Sequence, residues 1–116
     1  MGKRQRGRGR IAASPGEYRD VEGNLLVLRG SLSPLSRRRY AGVLHDQRRS
    51  TDDSWQRAVE FLFERLAVRW VIHDVPTEGQ KELLLRYRMA TADERRWIRD
   101  VLREHLAEHF PDVEAP

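Results

Sequence analysis

There is no cysteine among the 116 residues, which excludes disulfides, thiolate metal sites and cysteine nucleophiles. Long apolar runs are missing as well. The longest, around Leu66–Ile72, is interrupted by Arg69 and falls far short of the ~20 residues that span a bilayer, so no membrane role is expected. No glycine-rich phosphate loop, dinucleotide fingerprint or nucleophile elbow occurs, and nucleotide-dependent or serine chemistry therefore has no support. The basic start, Lys3 to Arg10, runs into Ile11-Ala12-Ala13-Ser14-Pro15 and lacks the apolar stretch of a secretory signal. A cytoplasmic location is the expectation. Lysine is scarce too. Only Lys3 and Lys81 occur among 22 basic residues, so the positive charge is nearly all guanidinium.

What the chain has is charge, unevenly distributed. Lys3, Arg4, Arg6, Arg8 and Arg10 give the first ten residues +5, so the total of +4 leaves residues 11–116 at −1. Within that remainder, residues 29–49 are basic and residues 50–116 are acidic. The first 16 residues combine like charges with Gly2, Gly7, Gly9, Pro15 and Gly16, and cannot bury enough apolar surface to offset the entropy of ordering. The expected organisation is an Arg/Gly-rich arm over residues 1–16 and one small domain over residues 17–116.

The expected fold is mainly α: an N-terminal β-hairpin followed by about four helices. Tyr18-Arg19-Asp20-Val21 and Leu25-Leu26-Val27-Leu28 flank Glu22-Gly23-Asn24, where Gly23 and Asn24 tolerate the positive φ of a tight turn. Ser33-Pro34 reads as an N-cap followed by the first helical residue, opening a helix to about His45. Thr51-Asp52-Asp53 suits the start of a long helix to about Val71, with Trp55, Val59, Leu62, Phe63, Leu66 and Trp70 on its buried face. A β reading of Val68 to Val75 stays open, because Val, Trp and Ile favour strands. Thr77-Glu78-Gly79-Gln80 and Thr91-Ala92-Asp93-Glu94 both fit capping boxes, each ahead of a further helix.

Four patterns compete for a functional role. His105-Leu106-Ala107-Glu108-His109 satisfies the H-x-x-E-H spacing of a zinc peptidase, since histidines at i and i+4 share a helix face. A third protein ligand and a substrate cleft have no candidate, however, and the chain ends seven residues after His109. Helix-terminal capping with solvated or partly packed imidazoles is expected instead, and no catalytic residue, metal or cofactor is assigned. Asp52-Asp53 and Asp93-Glu94 are read as first-turn caps. The Arg6-Gly7-Arg8-Gly9-Arg10 alternation suits phosphate contacts, which Arg37, Arg38 and Arg39 on the first helix would extend; Lys3, Arg4, Arg6, Arg8, Arg10 and these three arginines form the candidate nucleic-acid surface. Finally, at 100° per residue Phe61, Val68 and Ile72 fall on a second apolar stripe of the long helix. It is read as a partner-binding surface, with homo-oligomerisation also open.

The order Tyr18-Arg19-Asp20, Gly23-Asn24, Leu28-Arg29-Gly30, then Phe61-Leu62-Phe63-Glu64-Arg65-Leu66-Ala67-Val68-Arg69-Trp70 and Asp93-Glu94-Arg95-Arg96-Trp97 resembles the small tail-gene proteins of phages and prophages of GC-rich actinobacteria, in particular tail assembly chaperones. The resemblance covers residues 17 to 112. It implies a non-enzymatic helper that binds tape-measure and tail-tube subunits during assembly, and carries over no functional residue. Protein binding in assembly is thus the expected function, with nucleic-acid binding through the arm as the alternative.

Overall fold

The computed structural model describes residues 14–116; the basic arm residues Lys3, Arg4, Arg6, Arg8 and Arg10 lie outside that range. Chain order is β1 (Gly16–Arg19), β2 (Leu25–Leu28), α1 (Pro34–Leu44), α2 (Thr51–Leu66), β3 (Ala67–Ile72), β4 (Val75–Glu78), α3 (Gln80–Arg88) and α4 (Ala92–His109). The strands form one antiparallel sheet in the order β1-β2-β3-β4, with α1 and α2 inserted between its two hairpins.

The mainly α expectation is therefore corrected: the fold is α+β. Residues assigned to the end of a long helix and to a capping box instead form the β3–β4 hairpin. The α2 helix stops at Leu66, and Ala67 is already extended at φ −67° and ψ 129°. Downstream, Val68, Trp70, Val71 and Ile72 are β-branched or aromatic and lose less side-chain freedom in a strand than in a helix. The β2 strand supplies the hydrogen-bonding edge that decides the matter, pairing Leu26 with Trp70 and Leu25 with Val71. Thr77 sits in β4 and caps nothing. Gly79 precedes α3 without a side-chain cap bond, and the Gln80 amide reaches the Glu64 carbonyl at 3.2 Å instead.

Other local readings hold. Ser33 caps α1, accepting from the Ser36 amide, with Pro34 at the first helical position. The Thr91–Glu94 capping box is complete, with Thr91 N–H to Glu94 Oε1 at 2.9 Å and Glu94 N–H to Thr91 Oγ1 at 3.1 Å. At α2 the cap is Ser50, one residue earlier than the expected oxygens, while Asp52 and Asp53 occupy the positive first turn.

The core lies between the sheet and the helices. Leu26, Leu28 and Trp70 from the sheet meet Leu62, Phe63 and Leu66 of α2, Leu83 and Tyr87 of α3, and Ile98, Leu102 and Leu106 of α4. Phe63 is the hub, edge-on to Trp70 at 5.8 Å and stacked on Tyr87 at 4.9 Å. Such aromatic pairs add about 0.5–1.5 kcal/mol each beyond the area they bury. Trp55, expected in this core, is 49% exposed at the first turns of α2; Ser54 turns inward instead and donates to the Asp46 carbonyl at 3.2 Å.

Candidate partner surfaces and a buried histidine latch

Cross-strand pairing sorts the sheet residues onto two faces. Tyr18, Leu26, Trp70 and Thr77 share one row and point with Leu28 and Ala67 toward the helices. Arg19, Leu25, Val71 and Pro76 form a row on the opposite face, and Glu17, Val27, Arg69 and Glu78 form a second. Leu25, Val27 and Val71 are only half-buried and stand outside the set packed on the core. Among the described residues no helix covers this face, so it is an apolar strip bordered by charge, with Arg69 and Glu78 paired at 3.3 Å. The sequence did carry its signal. A strand with one buried face needs apolar residues only at alternate positions, so the unbroken Leu25-Leu26-Val27-Leu28 run implies an apolar outer face too.

The expected stripe of Phe61, Val68 and Ile72 is not a stripe, because α2 ends before Val68. Phe61 lies between α1 and α2, half-buried, 6.4 Å from the Tyr40 ring and covered by the Arg65 guanidinium at 4.9 Å. Val68 is the extra residue where the β2–β3 register shifts, and its side chain is exposed. Ile72 packs against the core and, with Trp70 and Trp97, lines a cavity of about 440 Å³ between the two hairpin turns and the start of α4. The three side chains thus occupy three separate surroundings.

The arginine triplet is divided too. Arg37 is held by Asp112 at 3.2 Å and lies over the Phe110 ring at 5.2 Å, which fastens the C-terminal tail to α1. Tyr40 adds a hydrogen bond from its hydroxyl to the Glu114 carbonyl at 2.6 Å, and His45 Nε2 lies 2.9 Å from Glu114 Oε1. Arg38 and Arg39 are exposed and have no ion pair among the described residues. Further along that side, Arg48, Arg49 and Arg57 are paired with Asp46 and Asp53.

Among the described residues, His105 is a buried titratable side chain held on both sides of its ring. It is wholly buried in α4, with Nε2 at 2.7 Å from the Arg29 carbonyl and Nδ1 at 2.7 Å from the Tyr18 hydroxyl. A carbonyl only accepts, so Nε2 carries the hydrogen; burial holds the pKa below the usual histidine value, and neutral Nδ1 accepts the Tyr18 proton. Burial and the carboxylates of Glu108 and Glu104 push the Tyr18 phenol up to about 12, which keeps it a donor. The imidazole therefore fastens the first hairpin to the last helix. The neighbouring His109 ring lies 4.3 Å away. With both His105 nitrogens engaged inside the fold, the H-x-x-E-H spacing has no free pair of donors, and the described residues hold no group of three His, Asp or Glu side chains arranged to take a metal. Spacing places this imidazole near a helix terminus, and its long-range partners, 76 and 87 residues away, are not legible from spacing.

No helix of the described residues is long and apolar enough to cross a membrane. Comparison with protein-family models, with curated proteins and with solved structures finds no match to this chain.

Proposed function

We propose that the chain is a non-enzymatic protein-binding module that acts in assembly, and that its working surface is the outer sheet face formed by Leu25, Val27 and Val71. The observation that carries this reading is that face itself: three half-buried aliphatic side chains on the two central strands, backed by the core and bordered by Arg19, Glu17, Arg69 and Glu78. An apolar centre with a polar border is the usual anatomy of a protein interface. Its position differs from the surface read from Phe61, Val68 and Ile72, of which only Val68 is exposed apolar area beside the sheet. Assembly of phage tails is the finer reading, and it rests on the resemblance over residues 17 to 112.

A photo-crosslinking side chain at Val27, compared with one at the exposed Ala107 on α4, tests the proposal in the native cell. The expected result is one dominant crosslinked polypeptide from position 27 and none from position 107. Equal labelling from both positions would overturn the assignment of the face. A tail-tube or tape-measure subunit as the captured protein supports the finer reading, and a partner of another kind removes it. The nucleic-acid alternative predicts salt-dependent DNA or RNA binding by the full chain that disappears when residues 1–10 are deleted.

A further inference from the structure

The sheet ends differently on its two sides. At the β4 edge Pro76 has no N–H to offer, a common way of blunting an exposed strand. The β1 edge carries no such block between Gly16 and Arg19, and no described strand pairs with it on that side. Its hydrogen-bonding pattern follows from the turn. The Asp20 amide donates to the Asn24 carbonyl at 3.0 Å, so residue 20 faces β2, and by alternation Tyr18 and Gly16 do as well. The N–H and C=O groups of Glu17 and Arg19 therefore point outward, along the free edge.

We infer that this edge pairs with the β1 strand of a second copy of the chain, antiparallel and about a two-fold axis at Tyr18. Only that register brings outward-facing backbone groups together while matching side chains. Glu17 lies opposite Arg19 of the second copy, the two residues exchange both backbone hydrogen bonds, and the symmetry repeats the pair. Both side chains stand on the outer face, where directly opposed Cβ atoms lie about 5 Å apart, close enough for two interchain ion pairs. The edge is thus complementary in charge to itself, as an isologous interface requires. The same register sets Pro15 beside Val21 of the second copy. Val21 is the most exposed apolar residue described, at 103%, and Pro15, lacking an N–H, ends the ladder there. The product is a continuous eight-stranded sheet. This inference concerns the edge and does not rest on which partner binds the outer face, although Glu17 and Arg19 also border that face.

The experiment uses the full chain and native mass spectrometry with sedimentation equilibrium. Wild type is expected to dimerise, and Glu17→Arg and Arg19→Glu are each expected to weaken the dimer by about tenfold or more, because like charges then face each other twice. An equimolar mixture of the two variants restores dimers, as heterodimers, since each Arg–Arg edge then meets a Glu–Glu edge. Glu17→Pro removes an outward N–H together with the Glu17 carboxylate, touches no inward hydrogen bond of the sheet, and is expected to abolish the dimer while the circular dichroism of the folded chain persists. A wild type that stays monomeric at millimolar concentration would overturn the inference, as would charge variants that associate like wild type or a mixture that forms no heterodimer. Should Glu17→Pro fail to fold, the mixing experiment still decides, because Glu17 and Arg19 are exposed and their exchange leaves the core untouched.

Discussion

The two hairpins sit side by side in one sheet, yet they are held in opposite ways. The β1–β2 turn is a network of side-chain hydrogen bonds: Asp20 Oδ1 accepts from the amides of Glu22 and Asn24, both at 2.9 Å, Asp20 Oδ2 accepts from the Asn24 side chain, and Gly23 takes the positive φ of 85°. The β3–β4 turn has only two residues, His73 and Asp74, with φ of 49° and 65°. That is the geometry of a type I′ turn, built without the glycine that makes it easy. The stable hairpin also braces the strained one, since Asn24 Oδ1 accepts the His73 amide at 2.9 Å. The first hairpin is in turn fixed from outside, by His105. A hairpin with sufficient local chemistry and a long-range anchor thus carries a neighbour that has little of either.

The anchor is where the largest effect is expected. Removing the imidazole with His105→Ala leaves a cavity in the core and deprives the Tyr18 hydroxyl and the Arg29 carbonyl of their buried partner. A loss of about 3–5 kcal/mol is expected in urea unfolding, against well under about 1 kcal/mol for Ala at the less enclosed His109. A small loss at His105 would mean that the hairpin is held by apolar packing alone. Acid sharpens the same point. Because burial holds the folded pKa of His105 below the ordinary histidine value of about 6.5, the unfolded chain takes up the proton more readily. Its contribution is therefore complete above about pH 6.5 and is lost as pH falls through that value toward the folded pKa, by up to about 1.4 kcal/mol per unit. The groups that face the ring are Tyr18 from β1, the Arg29 carbonyl, and His109, Glu108 and Phe110 from the helix end. In His105→Gln this slope is expected to flatten.

Next in size is the close approach that the anchor demands. A Cβ on Gly16 would stand 2.8 Å from the Tyr18 hydroxyl and 3.0 Å from His105 Nδ1, the two atoms of the latch itself. Gly16→Ala is expected to cost about 1–3 kcal/mol and to alter the near-ultraviolet signal of Tyr18. The contrasting position in the same hairpin is in open space: Gly23 has nothing within 4 Å of an added Cβ, so its substitution acts through φ alone. If Gly16→Ala is as mild as a surface change, the latch has more room than its two 2.7 Å contacts imply.

The difference between the hairpins also explains what could be read from the residues. Hairpin one, the Ser33 cap of α1 and the Thr91–Glu94 box are recorded in contiguous residues whose side chains bond their own backbone, and these were legible, while the α2 cap fell one residue earlier than expected, at Ser50. Hairpin two was legible only as the open strand reading of Val68 to Val75, and its second strand was read as a capping box. Leu62, Leu66 and Trp70 keep helical spacing across the point where α2 ends, so the period runs on while the backbone changes; what stops the helix is pairing with β2, some 40 residues earlier. Misplacing that boundary also produced the Phe61–Val68–Ile72 stripe, since a helical angle was applied to two strand residues. The outer face was half visible in the Leu25–Leu28 run, but its rows cross four strands and needed the register. His105 was visible only as a histidine near a helix end, because its partners come from the start of the chain.

The smallest expected effect tests the strained hairpin directly, and it has the opposite sign. Asp74 occupies a left-handed conformation that asparagine, aspartate and above all glycine tolerate. Replacing it with glycine relieves the contact between Cβ and the backbone, while the added freedom of glycine in the unfolded chain cancels part of the gain. Asp74→Gly is therefore expected to raise stability by about 0.5 kcal/mol, whereas Gly23→Ala in the first hairpin, which forces a side chain into φ 85°, is expected to lower it by about 1 kcal/mol. Denaturant midpoints of the two variants measured together check the comparison. If Asp74→Gly destabilises the protein, the second turn is held by a side-chain interaction of Asp74 and not tolerated as strain, and the contrast between the hairpins fails. If both signs are as expected, the bond from His73 to Asn24 is what keeps the strained turn in register, and Asn24→Ala should erase the benefit of the glycine by loosening both turns at once.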